Sequence, residues 1–310
     1  MTANPQDAWS LYWAGGSLDS CLPAGTADGD AHPVRQLWTD LATSLAPGSR
    51  VLDLATGNGT VPVTLLRANP ALEVSGVDQA EIDPVAAVSD VPELKQVSFQ
   101  GRVDVADLPF PAASFDVVTS QYGVEYGALE EAVGEALSVL RAGGQLVFLM
   151  HHVDSEVVAP AAPLREEIAS LLDPKGPLPL LIKFVAGQIP VDKLEAAGER
   201  HLKANVRRTA RITGQVYKMV NTIVERLGES PEQARIMSGV LAARLEAEHE
   251  RLGQLQEAAL DTRRAQTLRG VLQAQGGVVD RLEPLEVKVG KDDDEPALVG
   301  WHLVAHTAAN

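Results

Sequence analysis

Residues able to do chemistry cluster in five places along this chain. The stretch Arg50 to Thr60, RVLDLATGNGT, sets Asp53 just before a turn made of Ala55, Gly57 and Gly59. Glycine adopts backbone angles closed to other residues and presents no side chain, so a ligand can come close to the main chain at 57 and 59. Asp78 ends a second apolar run about twenty residues past that turn, where an acid can accept hydrogen bonds from ribose hydroxyls. Together these residues suit a nucleotide-like ligand. His151 and His152 follow the apolar run QLVFLM, and imidazole changes charge near neutral pH, so either could take a proton from a bound reactant. Glu125 and Tyr126, in QYGVEYG, are candidates for substrate contact. So are Tyr12 and Trp13, which with Trp9 form an aromatic group that either packs an N-terminal arm onto the core or makes a lid over a pocket.

The positions of these residues require a particular set of elements. Val51, Leu52 and Leu54 form the short apolar run of a strand buried on both faces, and a helix from Val61 to Leu66 follows the turn. The pattern predicts a second strand over Glu73 to Val77, a third over Gln96 to Gly101, a fourth in SFDVVTSQYG and a fifth in QLVFLM. Glu130 to Leu140 reads as a helix with Ala132, Val133, Ala136, Leu137 and Leu140 facing inward, stopped by Ala142, Gly143 and Gly144. Ahead of the first strand, Val34, Leu37, Trp38, Leu41 and Leu45 fall at helical spacing. Alternating strands and helices with short connections specify an open parallel sheet, and its ligands lie outside the carboxyl ends of the strands. His151 and His152 sit at such an end, with side chains directed to different sides.

Composition narrows the function. The 310 residues, 45% hydrophobic and 22% charged, have the balance of a soluble globular protein. A formal charge of −16 argues against nucleic-acid or anionic membrane partners, which need a concentrated basic surface. Cys21 is the one cysteine, which excludes an internal disulfide and a multi-cysteine metal site, and no metal is expected. KDDDEP reads as a solvated hairpin loop, and Lys203, Arg207, Arg208 and Arg211 as a solvated basic helix face. The start, MTANPQDAWS, lacks a basic and apolar leader and no run approaches membrane-spanning length, so a cytoplasmic location is expected.

Four separated segments between Arg50 and Met150 together resemble the class I S-adenosylmethionine-dependent methyltransferases of the small-molecule, ubiquinone/menaquinone-biosynthesis-like type. VLDLATGNG resembles the first motif, VSGVDQA the ribose-binding acid, VDVADLPFPAASFDVV the adenine-binding segment, and LRAGGQLVFL the turn and strand that close the core. The resemblance implies that Asp53, Ala55, Gly57 and Gly59 hold the methionine part of S-adenosylmethionine, with Gln121 and Ser120 facing the same end. It implies Asp78 and Gln79 at the ribose, and Asp104 with the Val105 main chain at the adenine edge, with Ile82 as an adenine contact. Ala55 replaces the family's first glycine and still leaves a small side chain at the turn. No Asn-Pro-Pro-Tyr-like sequence, found in many methyltransferases of nucleic-acid and protein amino groups, follows the fourth strand.

The resemblance implies a Rossmann-like sheet of seven strands, mostly parallel, with an antiparallel last strand. Its ending is found late in the chain: a helix over residues 260–275, a sixth strand in VVDRLEPLEVKV and a seventh in ALVGWHLVAHTA. The expected organisation is an N-terminal arm or lid (1–33), the core (34–154), a helical insertion (155–258) and the end of the core (259–310). The insertion is proline-rich to about Pro190. Two long helices are then predicted, one from a capping box at Asp192 and Glu195 to Leu227 and one from Pro231 onward, forming an antiparallel hairpin. That hairpin is read as packing on the core or a second subunit, with a homodimer expected, or as a roof over the pocket. The expected reaction moves a methyl group to an O, N, S or C atom of a small molecule and leaves S-adenosylhomocysteine, with His151 or His152 available to remove a proton. The alternatives are a protein or enzyme that binds S-adenosylmethionine without methyl transfer, and an NAD-dependent dehydrogenase, which shares the glycine turn but not the adenine segment or late strand pair.

Overall fold

A computed structural model of the chain describes residues 5–19, 33–205, 212–288 and 295–309. Its contacts divide it into two units: residues 9–159 with 254–310, and residues 160–253 with those up to residue 8. The larger unit is built on seven strands: β1 (Arg50–Leu54), β2 (Glu73–Asp78), β3 (Ser98–Gly101), β4 (Phe115–Gln121), β5 (Leu140–Met150), β6 (Gly277–Val287) and β7 (Ala297–Thr307). They lie in the order β3-β2-β1-β4-β5-β7-β6. The first five are parallel, and β7 runs antiparallel to both β5 and β6. The order reverses between β1 and β4, and a doubly wound sheet opens its ligand crevice at such a reversal.

Alternation along the strands feeds two cores. Leu52, Leu54, Val118, Leu146, Phe148 and Leu303 face one side, where they meet α5 (Leu129–Val139) and α11 (Thr262–Ala274). Val51, Val74, Val117, Val147, Leu149 and Val299 face the other, against α2 (Pro33–Ser44) and α3 (Thr60–Ala68). Each fully buried aliphatic side chain stabilises the fold by about 1.5–3 kcal/mol relative to exposure, which favours apolar residues along the central strands, with Asp53, Thr119 and Ser120 as buried polar exceptions. Two helices complete this unit's N-terminal part: α1 (Pro5–Trp13), which crosses the division between the units, and the single turn α4 (Pro84–Ala87).

The smaller unit is helical. It contains α6 (Ala161–Leu172), α7 (Pro177–Val185), α8 (Val191–Asn205), α9 (Thr213–Glu229) and most of α10 (Pro231–Ala258). Within it α7 packs on α6 and α8, and α9 packs on α6 and α7. The buried faces carry Ile168, Leu171, Leu178, Leu181, Leu194, Val216 and Ile223. The single helix expected from Asp192 to Leu227 is therefore two, and the proline-rich stretch before it forms α6 and α7. Pro177 and Pro179 lie in the first turn of α7, where the missing N–H has no helical partner to lose. α9 packs on α6 and α7, so the helices of this unit form a bundle larger than the two helices expected.

Three boundaries in the sheet also differ from expectation. The expected start of the third strand at Gln96 belongs to a 3-10 turn over Pro92–Gln96, and pairing begins at Ser98. β5 starts at Leu140, five residues early, and runs through Gly143 and Gly144, with a register shift opposite Phe115 to Val117 that absorbs them. Cys21, Arg207, Arg208, Arg211 and the acidic centre of KDDDEP lie outside the described residues, whereas Lys203 pairs with Glu199 across one helical turn. Among the described residues no helix is long and apolar enough to cross a membrane.

Gly300 shows how closely β7 approaches β5. A Cβ there would overlap the carbonyl oxygen of Met150 and press on the Leu149 and Tyr122 side chains at 3.2 and 3.3 Å. Gly300→Ala is expected to cost about 1–3 kcal/mol through overpacking, lowering the melting temperature by several degrees. An unchanged melting curve would contradict the packing described.

Candidate functional site

The carboxyl ends of β1, β2 and β4 converge on the glycine turn. Asp53, in β1, is buried and accepts a hydrogen bond from the Thr119 hydroxyl of β4 at 2.8 Å. Asp78 closes β2. Its Oδ2 accepts the Gly57 N–H and its Oδ1 the Ala80 N–H, each at 2.8 Å, so the acid ties the glycine turn to the exit of β2. Gly57 and Gly59 have φ of 52° and 89°, and Ala55 shares the left-handed region at 52°. Alanine is strained there by roughly 1–2 kcal/mol. A Cβ on Gly123 would overlap that of Ala55, so the bare glycine makes room for the alanine that stands in the family's glycine position.

Other expected contacts take up varied positions. Val105 is buried, and Val103 N–H bonds to the Asp78 carbonyl at 2.9 Å, which brings the segment around Val105 beside the acid. Asp104 is exposed and caps the Ala106 N–H at 2.9 Å. Gln79 is exposed, and Ile82 lies against Gly101. The Gln121 side-chain Oε1 accepts the indole N–H of Trp38 at 2.6 Å, which turns that side chain toward α2. Ser120 donates to the Leu54 carbonyl at 3.0 Å and receives the Val124 N–H at 3.1 Å, binding the end of β4 to that of β1.

The arm lies across this mouth. Trp13 covers Gly57 so closely that any Cβ at 57 would overlap the indole. The Asn58 amide donates to the carbonyls of Trp13 (2.9 Å) and Ser17 (2.7 Å), and Thr60 donates to the Leu18 carbonyl. Ser10 accepts the Glu81 N–H at 3.0 Å, and Trp9 donates its indole N–H to Gln254 at 2.7 Å. Tyr12 packs edge-on against Trp9 and Trp13, and Trp9 meets the edge of Tyr126 with centroids 5.2 Å apart. Sequence reasoning named the aromatics but missed Asn58, Thr60 and Ser10, whose partners are main-chain groups and leave no spacing pattern.

The two histidines do part to opposite sides. His151 is fully buried beneath Tyr122 and bonds Glu125 through Nδ1 at 2.7 Å. His152 stacks on Trp301 on the other side, with its Nδ1 accepting the Asp154 N–H at 3.0 Å. Among the described residues no group of three or more His, Cys, Asp or Glu could hold a metal ion.

Residues 51–144, which contain this turn and both strand-end acids, match a family model described as a methyltransferase domain. A demethylmenaquinone methyltransferase of Thermus thermophilus is 37% identical over 122 residues, 37% of this chain and 52% of that protein. A ubiquinone/menaquinone biosynthesis C-methyltransferase of Cereibacter sphaeroides is 31% identical over 122 residues, 37% of this chain and 49% of that protein. A demethylmenaquinone methyltransferase of Clavibacter sepedonicus is 32% identical over 161 residues, 49% of this chain and 59% of that protein. The chain spans about half the length of these relatives. Residues 51–144 are a class I S-adenosylmethionine-dependent methyltransferase domain.

The acids of the methyltransferase domain suit a cationic nucleoside. Burial raises the Asp53 pKa from 3.8 to about 7, against the Thr119 hydrogen bond that favours the charged form. Burial likewise raises Asp78 to about 6, opposed by the Ala80 and Gly57 N–H groups. A buried carboxylate next to a bare main-chain turn is relieved by a positive ligand, and Asp78 oxygens that each accept one N–H retain capacity for a ligand hydroxyl. Because both pKa values are raised on folding, the stability they contribute is full below about pH 4 and is lost as pH rises through about 6 to 7. Asp53→Asn, which cannot ionise, is expected to gain melting temperature relative to the parent by several degrees between about pH 5 and pH 8. A difference that stays constant with pH would contradict a desolvated Asp53.

Proposed function

We propose that the chain is an S-adenosylmethionine-dependent methyltransferase that moves a methyl group to an O, N, S or C atom of a small molecule, with S-adenosylhomocysteine as product. The observation that carries this reading is the match to a methyltransferase domain over the segment that buries Asp53 and Asp78 around the glycine turn. Bound S-adenosylmethionine supplies an electrophilic methyl carbon. In this reading Asp53 and the turn from Ala55 to Gly59 hold the charged methionine end, Asp78 accepts the ribose hydroxyls, and Val105 lines the adenine edge. Tyr12, Trp13 and Tyr126 border the acceptor, and the arm keeps water from it. His151 is the base where the acceptor has a proton to lose. A homodimer in the cytoplasm belongs to the same proposal.

The relatives' names point to a first acceptor. Two are demethylmenaquinone methyltransferases and one is a C-methyltransferase of quinone biosynthesis. The reduced form of demethylmenaquinone is the one to supply, since its electron-rich ring carbon is nucleophilic and the quinone is not. With methyl-labelled S-adenosylmethionine, label is expected in this acceptor or another of a small-molecule panel, with equimolar S-adenosylhomocysteine. Asp78→Asn is expected to weaken S-adenosylhomocysteine binding by at least about tenfold, the size of a lost charged hydrogen bond. Tight cofactor binding with no labelled acceptor would replace this reading by binding without transfer, and unchanged affinity in the variant would remove Asp78 from the ribose.

A further inference from the structure

We propose that Glu125 is a positioning residue for methyl transfer: it holds the His151 ring in one orientation and one tautomer, so that His151 and not His152 takes the acceptor's proton. This rests on the methyltransferase reading above. The grip has two points. Glu125 Oε1 accepts the main-chain N–H of His151 at 2.7 Å and faces its ring Nδ1 at 2.7 Å, so backbone and ring are fixed by the same oxygen. Both side chains are fully buried, 26 positions apart in sequence. The short 3-10 turn Val124–Tyr126 presents the acid and is itself anchored, through Val124 N–H on the Ser120 hydroxyl and Tyr126 N–H on the Gly123 carbonyl at 3.1 Å each. Tyr122 lies over the imidazole with centroids 4.6 Å apart, and Tyr126 meets it edge-on at 5.7 Å.

This arrangement is more than a structural tie. Glu125 Oε2 is buried with no hydrogen-bond partner among the described residues, and a half-satisfied buried carboxylate is an expensive way to hold a strand end. Its charge becomes useful when the ring becomes an imidazolium. With Nδ1–H directed to the carboxylate, the acceptor's proton goes to Nε2. For an O, N or S acceptor the bond from that atom to hydrogen breaks and its electron pair stays as the nucleophile. For the hydroquinone an O–H bond breaks, the pair is delocalised to the ring carbon that takes the methyl as the methyl-to-sulfur bond breaks, and that carbon's own proton then leaves to solvent. The imidazolium returns its proton to solvent after turnover. Titratable groups that face the ring include Glu125, Tyr122 and Tyr126, with His152 and Asp154 next along the chain.

His152 has a different task. Its Nδ1 accepts the Asp154 N–H, its ring stacks on Trp301 at 4.9 Å, and the Trp301 indole donates to the Leu260 carbonyl at 2.9 Å. The Leu260 N–H in turn bonds the His151 carbonyl at 2.9 Å. These bonds clip the end of β5 to the link between α10 and α11.

The test is Glu125→Gln, which keeps the shape and an acceptor oxygen but removes the charge. Nitrogen NMR of the cofactor-free protein should show the wild-type His151 ring protonated at Nδ1, and the variant's ring titrating about one pH unit lower. Turnover on reduced demethylmenaquinone, or on the panel member that accepts label, should fall about tenfold at its plateau while the acidic limb of the pH profile moves to lower pH. S-adenosylhomocysteine affinity should stay within a few-fold. A wild-type ring protonated at Nε2 alone, or a Glu125→Gln profile of unchanged shape, would overturn the inference while leaving the methyltransferase reading intact. A wild-type protein that binds cofactor and transfers no label would end both.

Discussion

Two carboxylates buried at neighbouring strand ends set the terms for the rest of this molecule. Asp53 and Asp78 lie 25 positions apart in sequence yet border one turn, because β1 and β2 pair in parallel with Asp53 opposite Gly76. Water is excluded from both acids, and burial pushes their pKa values to about 7 and about 6. A fold that only needed stability would place an amide or an apolar group there, since a desolvated charge weakens the fold wherever it ionises. The acids are therefore a standing charge imbalance that a positive ligand would correct.

The arm and the turn respond to the same constraint. Gly57 has no Cβ, which lets the main chain reach the Asp78 carboxylate on one side and the Trp13 indole on the other. Asn58 and Thr60 hold carbonyls of the arm, so the segment that covers the turn is bonded to it. Any ligand that enters between Trp13 and Gly57 must loosen this layer. The aromatics of the arm therefore pack directly on the glycine turn.

The sheet was legible in the sequence because strands buried on both faces leave apolar runs, unbroken in Leu146 to Met150 and broken only by Asp53 in Val51 to Leu54. Where a rule of local chemistry was overridden by pairing, reading failed. Gly143 and Gly144 look like a helix stop, yet bonds to Ala308 and Thr307 hold them within β5. The helical unit misled for the opposite reason: Leu202, Val206, Val216, Val220, Ile223 and Leu227 read as one apolar stripe, so periodicity alone saw one helix where α8 and α9 are separate elements. The two acids flanking the glycine turn were legible from motif spacing. The bond from Glu125 to His151 was not, since it joins a loop to a strand end through tertiary packing and leaves no mark in either segment.

The central claim is that the glycine turn holds a desolvated acid awaiting a cation, and proton counting tests it most directly. S-adenosylmethionine binding should be measured by calorimetry at about pH 6.5 in buffers of different ionisation enthalpy, where Asp53 is largely protonated before the ligand arrives. The account expects net release of about half a proton or more, because a positive partner lowers the Asp53 pKa, and expects that release to vanish in Asp53→Asn. Binding with no proton release, or with proton uptake, would contradict it.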